Sequence, residues 1–490
     1  MSTHLSTARR GTIVLAGAQA AKVGVHFSGL VILSRLLGPS HLGHLALLAA
    51  VVALGDLLRE STLTLAAVQA PRVTRGQATN LFWLNTGMGA AMAAVVVAAS
   101  GGLAHLLHVP ALADTLPWAA LSLLILGFQG QFQVQLIRDG RIGLMSWTDV
   151  VSQALGLLGA VALALADAPT AAIVCQVVAV PAVVMVLRVA VTPWRPGLPR
   201  RGQGTTAFLR YGSTLALAQG LTFASNNLDR FLIAARLSLH DVGVYSRSVQ
   251  LLNLPVSQFM APLVNVVLPM LATLRARPRE YWSFLRQFQL PVAAVMVCGL
   301  AIAIPTAEAV FGLVLGAGWD ESAKVFQILA VGGCFQILAQ TNFWVFLSLE
   351  SASHLLKFSL VTRPLTVLAV VVGSSFGLEA TALAYSGSLV VSWCVGLVWL
   401  QRVAGMPAPT FLADGMALIT AGVVAGGVTA LVRDVLPAAG LAIHCAAGVA
   451  AFACVLGVLP RTRPQTTVAW RRGLAGAREA LPRDRQVVRD

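Results

Sequence analysis

The stretch Leu84-Asn85-Thr86-Gly87-Met88-Gly89-Ala90-Ala91-Met92-Ala93-Ala94-Val95-Val96-Val97-Ala98-Ala99 lies inside a run, 80–107, that holds no Asp, Glu, Lys or Arg. A helix crossing the hydrocarbon core of a bilayer needs about 20 such residues. A transmembrane barrel strand would instead alternate apolar and polar residues over about ten positions, and no such alternation is present. With no water in the bilayer core, an apolar segment must satisfy its own backbone polar groups, and a helix does so. The stretch reads as a membrane-spanning helix.

The same kind of run recurs at 11–34, 42–67, 115–137, 149–166, 170–190, 208–234, 241–272, 288–316, 322–349, 355–376, 379–401, 411–431 and 436–459. Composition agrees. Of 490 residues, 57% are apolar and 11% charged, whereas a soluble chain carries about 45–50% and about 25%. The apolar share suffices for about fourteen crossings. A soluble enzyme, a disordered chain and a disulfide scaffold are excluded. The six cysteines all fall inside apolar stretches without metal-ligand spacing, so they read as small core residues. The fold class is all-α, a polytopic membrane protein of about fourteen helices.

Thirty-four basic residues against 19 acidic ones give a net charge of +15. In a soluble protein that excess would point to nucleic acid; in a membrane protein the position of the charges matters more, because cytoplasmic loops concentrate Lys and Arg. With the N-terminus inside and strict alternation, inner loops and termini hold 25 basic residues. Outer loops hold four: Arg35, Arg236, Lys324 and Arg433. Five lie more than three residues inside the runs: Lys22, Arg59, Arg230, Arg247 and Arg363. The bias predicts cytoplasmic termini and a place in the bacterial cytoplasmic membrane. The apolar core before Ala18-Gln19-Ala20 is too short for an ordinary signal peptide and hydrophobicity continues past it, so the first run is expected to stay.

Ile32-Leu33-Ser34-Arg35-Leu36 ends the first run and Gly43 opens the second; Ile233-Ala234-Ala235-Arg236-Leu237 ends the seventh and Gly243 opens the eighth. Six helices separate the two. The organisation expected is an N-terminal lobe over 1–200, a C-terminal lobe over 201–405, two further helices over 406–460 and a basic tail over 461–490. Parallel repeats of this kind build transporters that rock two halves around a cavity. For the tail, an interfacial helix carrying Trp470, Leu474 and Leu481 and a plain positive anchor both remain open.

Enzyme chemistry finds little support. The three lysines (Lys22, Lys324, Lys357) never follow a glycine, so there is no Gly-Lys phosphate loop; no His-Glu or Asp-x-Asp pair exists. The pairs His41/His44 and His105/His108 fall at outer helix ends and read as interfacial. No cofactor or metal is implied. What remains is charge in lipid, where an Arg or Lys at mid-bilayer costs at least about 2.5–3.5 kcal/mol and faces a wet cavity or a partner. Gln19, Lys22 and His26 form one polar stripe, with Lys22 near the midplane; a snorkelling lysine is the competing reading. Asp56, Arg59 and Glu60 share a turn and can pair locally. The seventh run carries Gln219, Asn226, Asn227, Asp229 and Arg230; the eighth carries Arg247, Gln250, Asn253 and Ser257, with Pro255, Pro262 and Pro269 favouring kinks. Gln129, Gln131, Gln133 and Gln135 spread around their helix and read as packing groups.

Asn80-Leu81-Phe82-Trp83-Leu84-Asn85, Asn227-Leu228-Asp229-Arg230-Phe231-Leu232-Ile233, Val242-Gly243-Val244-Tyr245-Ser246-Arg247, Leu252-Asn253-Leu254-Pro255 and Val267-Leu268-Pro269 resemble blocks of the Wzx-type polysaccharide flippases, in particular their WzxC-like branch. The resemblance spans roughly residues 10–400. It places the chain in the superfamily of multidrug, oligosaccharidyl-lipid and polysaccharide exporters. It implies two six-helix lobes around a central cavity and movement of an undecaprenyl-diphosphate-linked oligosaccharide from the cytoplasmic to the outer leaflet. The arginine constellation of the lipid-II branch has no counterpart here.

The charge reading and the resemblance converge on alternating access. Fixed cations in a wet cavity offset the desolvation of a diphosphate. The expected substrate-binding residues are Lys22, His26, Arg59, Asn226, Arg230, Arg247 and Asn253. Asp56, Glu60 and Asp229 are candidates for a coupling proton or sodium ion. The partners expected are the lipid-linked oligosaccharide, membrane lipids and the polymerase or glycosyltransferase machinery of the same glycan, with the chain a monomer and no nucleic acid bound. Alternatives are an ion-coupled multidrug exporter, a membrane glycosyltransferase or glycan ligase, and a non-transporting scaffold.

Overall fold

The structure, a computed structural model, describes residues 2–59, 64, 67–68, 70, 73–200, 227–349, 352–437 and 440–458. Every element among the described residues is a helix. They are α1 (Ser2–Leu36), α2 (Pro39–Arg59), α3 (Arg75–Leu106), α4 (Ala111–Arg138), α5 (Ile142–Leu165), α6 (Pro169–Val191), α7 (227–236), α8 (Leu239–Thr273), α9 (Pro278–Val314), α10 (Asp320–Ser348), α11 (Ala352–Gly373), α12 (Leu378–Ala404), α13 (Ala408–Val435) and α14 (Gly440–Val458). Eleven helices among the described residues are long and apolar enough to cross a membrane. The expected count of about fourteen crossings is therefore met in part: of the seventh run, 208–234, only the last residues lie within the described chain. The basic tail lies outside it.

Local sequence explains where the helices begin and end. Thr74 caps α3 with a reciprocal capping box: its hydroxyl accepts from Gln77 N at 3.2 Å, and Thr74 N donates to Gln77 Oε1 at 3.0 Å, satisfying two otherwise orphaned donors. At the start of α8 the Ser238 hydroxyl accepts from Asp241 N at 3.1 Å and donates to Asp241 Oδ2 at 2.5 Å, satisfying one backbone donor. Gly405 closes α12 in the left-handed region at φ +65°, its N–H on Leu400 O, as a helix C-terminus prefers. The backbone of α8 stays helical through Pro255, Pro262 and Pro269, so the expected interruptions do not break the element.

By density of contacts the chain divides into two compact units. Unit 1 comprises Met1–Ser246 with Val314–Trp319; unit 2 comprises Arg247–Leu313 with Asp320–Asp490. In unit 1, α3 packs on α4, α5 on α6, α4 on α6 and α1 on α5. Its core includes Leu81, Phe82, Leu112, Leu116 and Phe132, all fully buried. In unit 2, α10 packs on α12, α11 on α12 and α13 on α14, around Leu285, Phe311, Trp344 and Phe346. The outward faces are apolar as well: Val95 is 66% exposed, Leu158 63% and Val423 70%. A water-soluble surface rarely carries contiguous apolar area on that scale, and lipid-facing helices require it. The molecule is a multi-pass membrane protein.

Close helix approach uses glycine. A methyl group on Gly89 (α3) would stand 2.7 Å from Leu123 O, and one on Gly127 (α4) 2.7 Å from Asn85 O, so this antiparallel pair crosses backbone to backbone. Two side-chain expectations are corrected. The cysteines are not uniformly core residues: Cys334 is buried, but Cys394 and Cys454 are exposed, which an apolar thiol tolerates against lipid. His44 is not interfacial but buried, with a ring nitrogen 2.7 Å from Thr115 Oγ1 on α4.

Candidate functional site

Unit 1 carries most of the described candidates. Lys22 and His26 lie one turn apart on α1, Lys22 half-buried and His26 exposed. Asp56, on α2, is half-buried. Arg59 is the last residue of α2 and Glu60 and Asn226 lie outside the described residues, as does the side chain of Arg59. On α7, Asp229 and Arg230 are half-buried. The Asp229 carboxylate accepts from the Arg230 backbone N at 2.9 Å.

Unit 2 carries Arg247 and Asn253, both on α8. Arg247 is buried and donates from Nη1 to Gln250 Oε1 at 2.6 Å, three residues on and so on the same helix face. Asn253 is half-buried. Two of the polar residues named on the eighth run, Arg247 and Gln250, are thus brought together within one turn of α8.

Two polar clusters went unnoticed in the sequence. Arg188, in the last turn of α6 and 3% exposed, donates from Nη1 to Gln129 Oε1 at 2.5 Å and Gln133 Oε1 at 3.0 Å, both on α4, and from Nη2 to Asp149 Oδ1 on α5 at 2.7 Å. Two of the four glutamines read as packing groups thus hold a buried cation. Arg286 of α9 forms a two-pronged ion pair with Asp414 of α13, through Nε to Oδ2 and through Nη2 to Oδ1 at 2.6 Å. That pair ties the first of the two C-terminal helices to unit 2. Both arginines count as inner-loop charges in the sequence. For Arg188 the available signal was its position inside the run 170–190 rather than beyond it; Arg286 precedes the run 288–316 and gave none.

The blocks that carried the family resemblance have identifiable structural work. Asn80 Nδ2 donates to Arg200 O at 2.6 Å and Asn80 Oδ1 accepts from Arg200 N at 2.9 Å. Trp83 Nε1 donates to Gly197 O at 2.9 Å. Phe82 packs edge-on against Phe128 at 4.9 Å and against Trp194 at 6.1 Å, and Trp194 meets Phe132 at 5.5 Å. This block of α3 therefore fastens the non-helical segment 192–200 that follows α6. Among the described residues, no group of three or more His, Cys, Asp or Glu is placed to hold a metal ion.

Comparison with solved structures shows the fold. The chain is similar to a lipid II flippase MurJ in an inward closed conformation, with a TM-score of 0.72 at 12% identity, covering 92% of this chain and 99% of that one. It is also similar to an inward-facing multidrug resistance MATE family transporter of the MOP superfamily, with a TM-score of 0.62 at 13% identity over 79% and 95% of the two chains. Among curated proteins it is 20% identical over 356 residues, 72% of each chain, to the lipopolysaccharide biosynthesis protein WzxC of Escherichia coli (strain K12). The family model described as polysaccharide biosynthesis protein matches residues 32–324, more than half of the length, and the chain belongs to that family.

Proposed function

We propose that the protein moves a polyprenyl-diphosphate-linked oligosaccharide from the cytoplasmic to the outer leaflet of the bacterial cytoplasmic membrane, for cell-surface polysaccharide synthesis. The observation that carries this reading is cationic and amide side chains set into helices that are otherwise apolar: Lys22 on α1, Arg230 on α7, and Arg247 with Gln250 on α8. A buried arginine or lysine is expensive in hydrocarbon and marks a functional path. Membership of a polysaccharide biosynthesis family selects an anionic glycolipid over the cationic drugs that a multidrug exporter of the same fold would carry.

In this reading Lys22, Arg230 and Arg59 receive the diphosphate by charge-assisted hydrogen bonds, while His26, Arg247, Asn226 and Asn253 meet phosphate or sugar hydroxyls. Asp56, Glu60 and Asp229 are the groups available to a coupling proton or sodium ion. The binding site opens first to the cytoplasmic face, then to the outer one, and the isoprenoid tail stays in lipid throughout. The chain moves its substrate without making or breaking a covalent bond in it. Both termini lie in the cytoplasm, and the protein works as a monomer alongside the polymerase and transferases of the same glycan.

Deletion of the gene tests the reading in cells. Lipid-linked oligosaccharide should accumulate on the cytoplasmic leaflet, unreachable by a lectin added outside. Normal outer-leaflet display together with new drug sensitivity would transfer the assignment to a multidrug exporter.

A further inference from the structure

Two faces of α12 differ in what they meet. One packs into unit 2: Trp393, Gly396, Leu397 and Leu400 are buried, and a methyl on Gly396 would run into the Asn342 side chain of α10. The other borders a cavity of about 480 Å³ lined by Cys394, Val395, Val398, Trp399, Arg402 and Val403. Successive members of that set are one or three residues apart, so they form a single stripe along the helix. The volume falls within the roughly 300–1,000 Å³ of small-molecule sites. Its rim is open, with Val398 48% and Val403 40% exposed.

The lining suits an amphiphile. Valine, cysteine and the indole ring make an apolar wall, and the one charge, Arg402, stands at its end in the last turn of α12. Arg402 is exposed, and among the described residues no hydrogen bond or ion pair engages its guanidinium. The Trp399 ring beside it is braced edge-on by Phe358 of α11, with centroids 6.2 Å apart. Phe358 follows a second exposed cation, Lys357. The positive-inside bias assigns this end of the α11–α12 pair to the cytoplasm.

Charge and shape separate the possible occupants. A free phosphate or a sugar would face a wall almost without polar partners. The tail after Leu459 carries eight arginines against three acidic residues, so Arg402 and Lys357 repel it. A phospholipid supplies an acyl chain for the wall and a phosphate for the guanidinium. Within a bilayer the chain gains little by leaving other chains, so packing alone selects no particular lipid. The charge-assisted bond from guanidinium to phosphate does select, and the anionic cytoplasmic leaflet provides the headgroup.

We propose that this cavity binds an anionic phospholipid of the cytoplasmic leaflet, with one acyl chain along 394–403 of α12 and its phosphate on Arg402. Lys357 adds to the attraction for a negative headgroup. The proposal requires a membrane protein in this orientation and does not rest on the flippase reading above.

Native mass spectrometry of the detergent-purified, full-length chain tests it, with phosphatidylglycerol and phosphatidylcholine of identical chains offered in equal amounts. Wild-type protein should retain phosphatidylglycerol in preference. Arg402→Gln should reduce that preference roughly tenfold, and Arg402→Lys should keep much of it. Arg279→Gln, at an exposed cation elsewhere, should change nothing. Phosphatidylglycerol with a photoactivatable acyl chain should crosslink to the peptide containing 394–403, and Val398→Trp, which puts an indole into the cavity, should suppress the crosslink. If Val398→Trp does not fold, Arg402→Gln decides, since its side chain is exposed. Equal preference in wild type and Arg402→Gln, or crosslinks that avoid 394–403, overturns the site. Displacement by an equal concentration of polyprenyl phosphate also overturns it, because the cavity then belongs to the transported lipid. A gain in retention on removing residues 461–490 overturns it in favour of the tail as occupant.

Discussion

Arg286 and Asp414 lie 128 residues apart in sequence and meet through two hydrogen bonds, their side chains 19% and 5% exposed. Removing one partner of such a pair strands the other charge, at a cost of about 3–5 kcal/mol, whereas replacing both by apolar groups of similar volume is often neutral. Asp414→Ala should therefore lower the thermal denaturation midpoint of the detergent-purified protein, and Arg286→Leu combined with Asp414→Leu should recover most of the loss. A double variant as unstable as the single one would show that the pair is not the source. Neither this pair nor Arg188–Asp149 was legible in the sequence. Both arginines sit close enough to a helix end to pass for loop charges, and their carboxylates arrive from other helices, beyond the reach of any local pattern. Residues whose partners lie within a turn, such as Arg247 and Gln250, are within reach of a sequence reading because helical spacing alone brings them together.

At the level of elements, hydropathy located the helices well because a lipid-facing helix must be apolar all round, and an uncharged run of some twenty residues leaves little alternative. It could not locate the non-helical strap 192–200, whose order comes from tertiary hydrogen bonds to Asn80 and Trp83. Asn80→Ala removes both bonds to the Arg200 backbone, and amide hydrogen exchange over 192–200 should then accelerate about tenfold or more. Unaltered exchange would mean that the aromatic packing of Trp194 holds the strap by itself. The α3–α4 crossing gives a second expectation. Gly127→Ala pushes a methyl into Asn85 O, and overpacking of this kind costs about 1–3 kcal/mol, so the melting midpoint should fall, with no change expected for Gly101→Ala, where the space is open. Glycine at such crossings was invisible to the sequence reading because only the register of two distant helices reveals which glycine is squeezed.

For the whole molecule, composition already dictated a membrane protein, and the exposed valines and leucines of both units agree with it. The direction of insertion rests on the distribution of Lys and Arg. Alkaline phosphatase fused at Asp167, in the turn after α5, should be active, and the same reporter fused at Arg141, before α5, should be inactive; the reverse pattern would invert the topology. The proposed transport path is a set of charged and amide residues named from the sequence, since sequence spacing cannot say which helices share a cavity. The most direct test of the central claim uses proteoliposomes holding purified protein and a fluorescent polyprenyl-diphosphate oligosaccharide, with the fraction in the outer leaflet read by a membrane-impermeant quencher. Wild-type protein should equilibrate the lipid across the bilayer, while Lys22→Ala and Arg230→Ala, folded and inserted to the same extent, should leave it where it was placed. Equal movement by all three proteins would contradict the account.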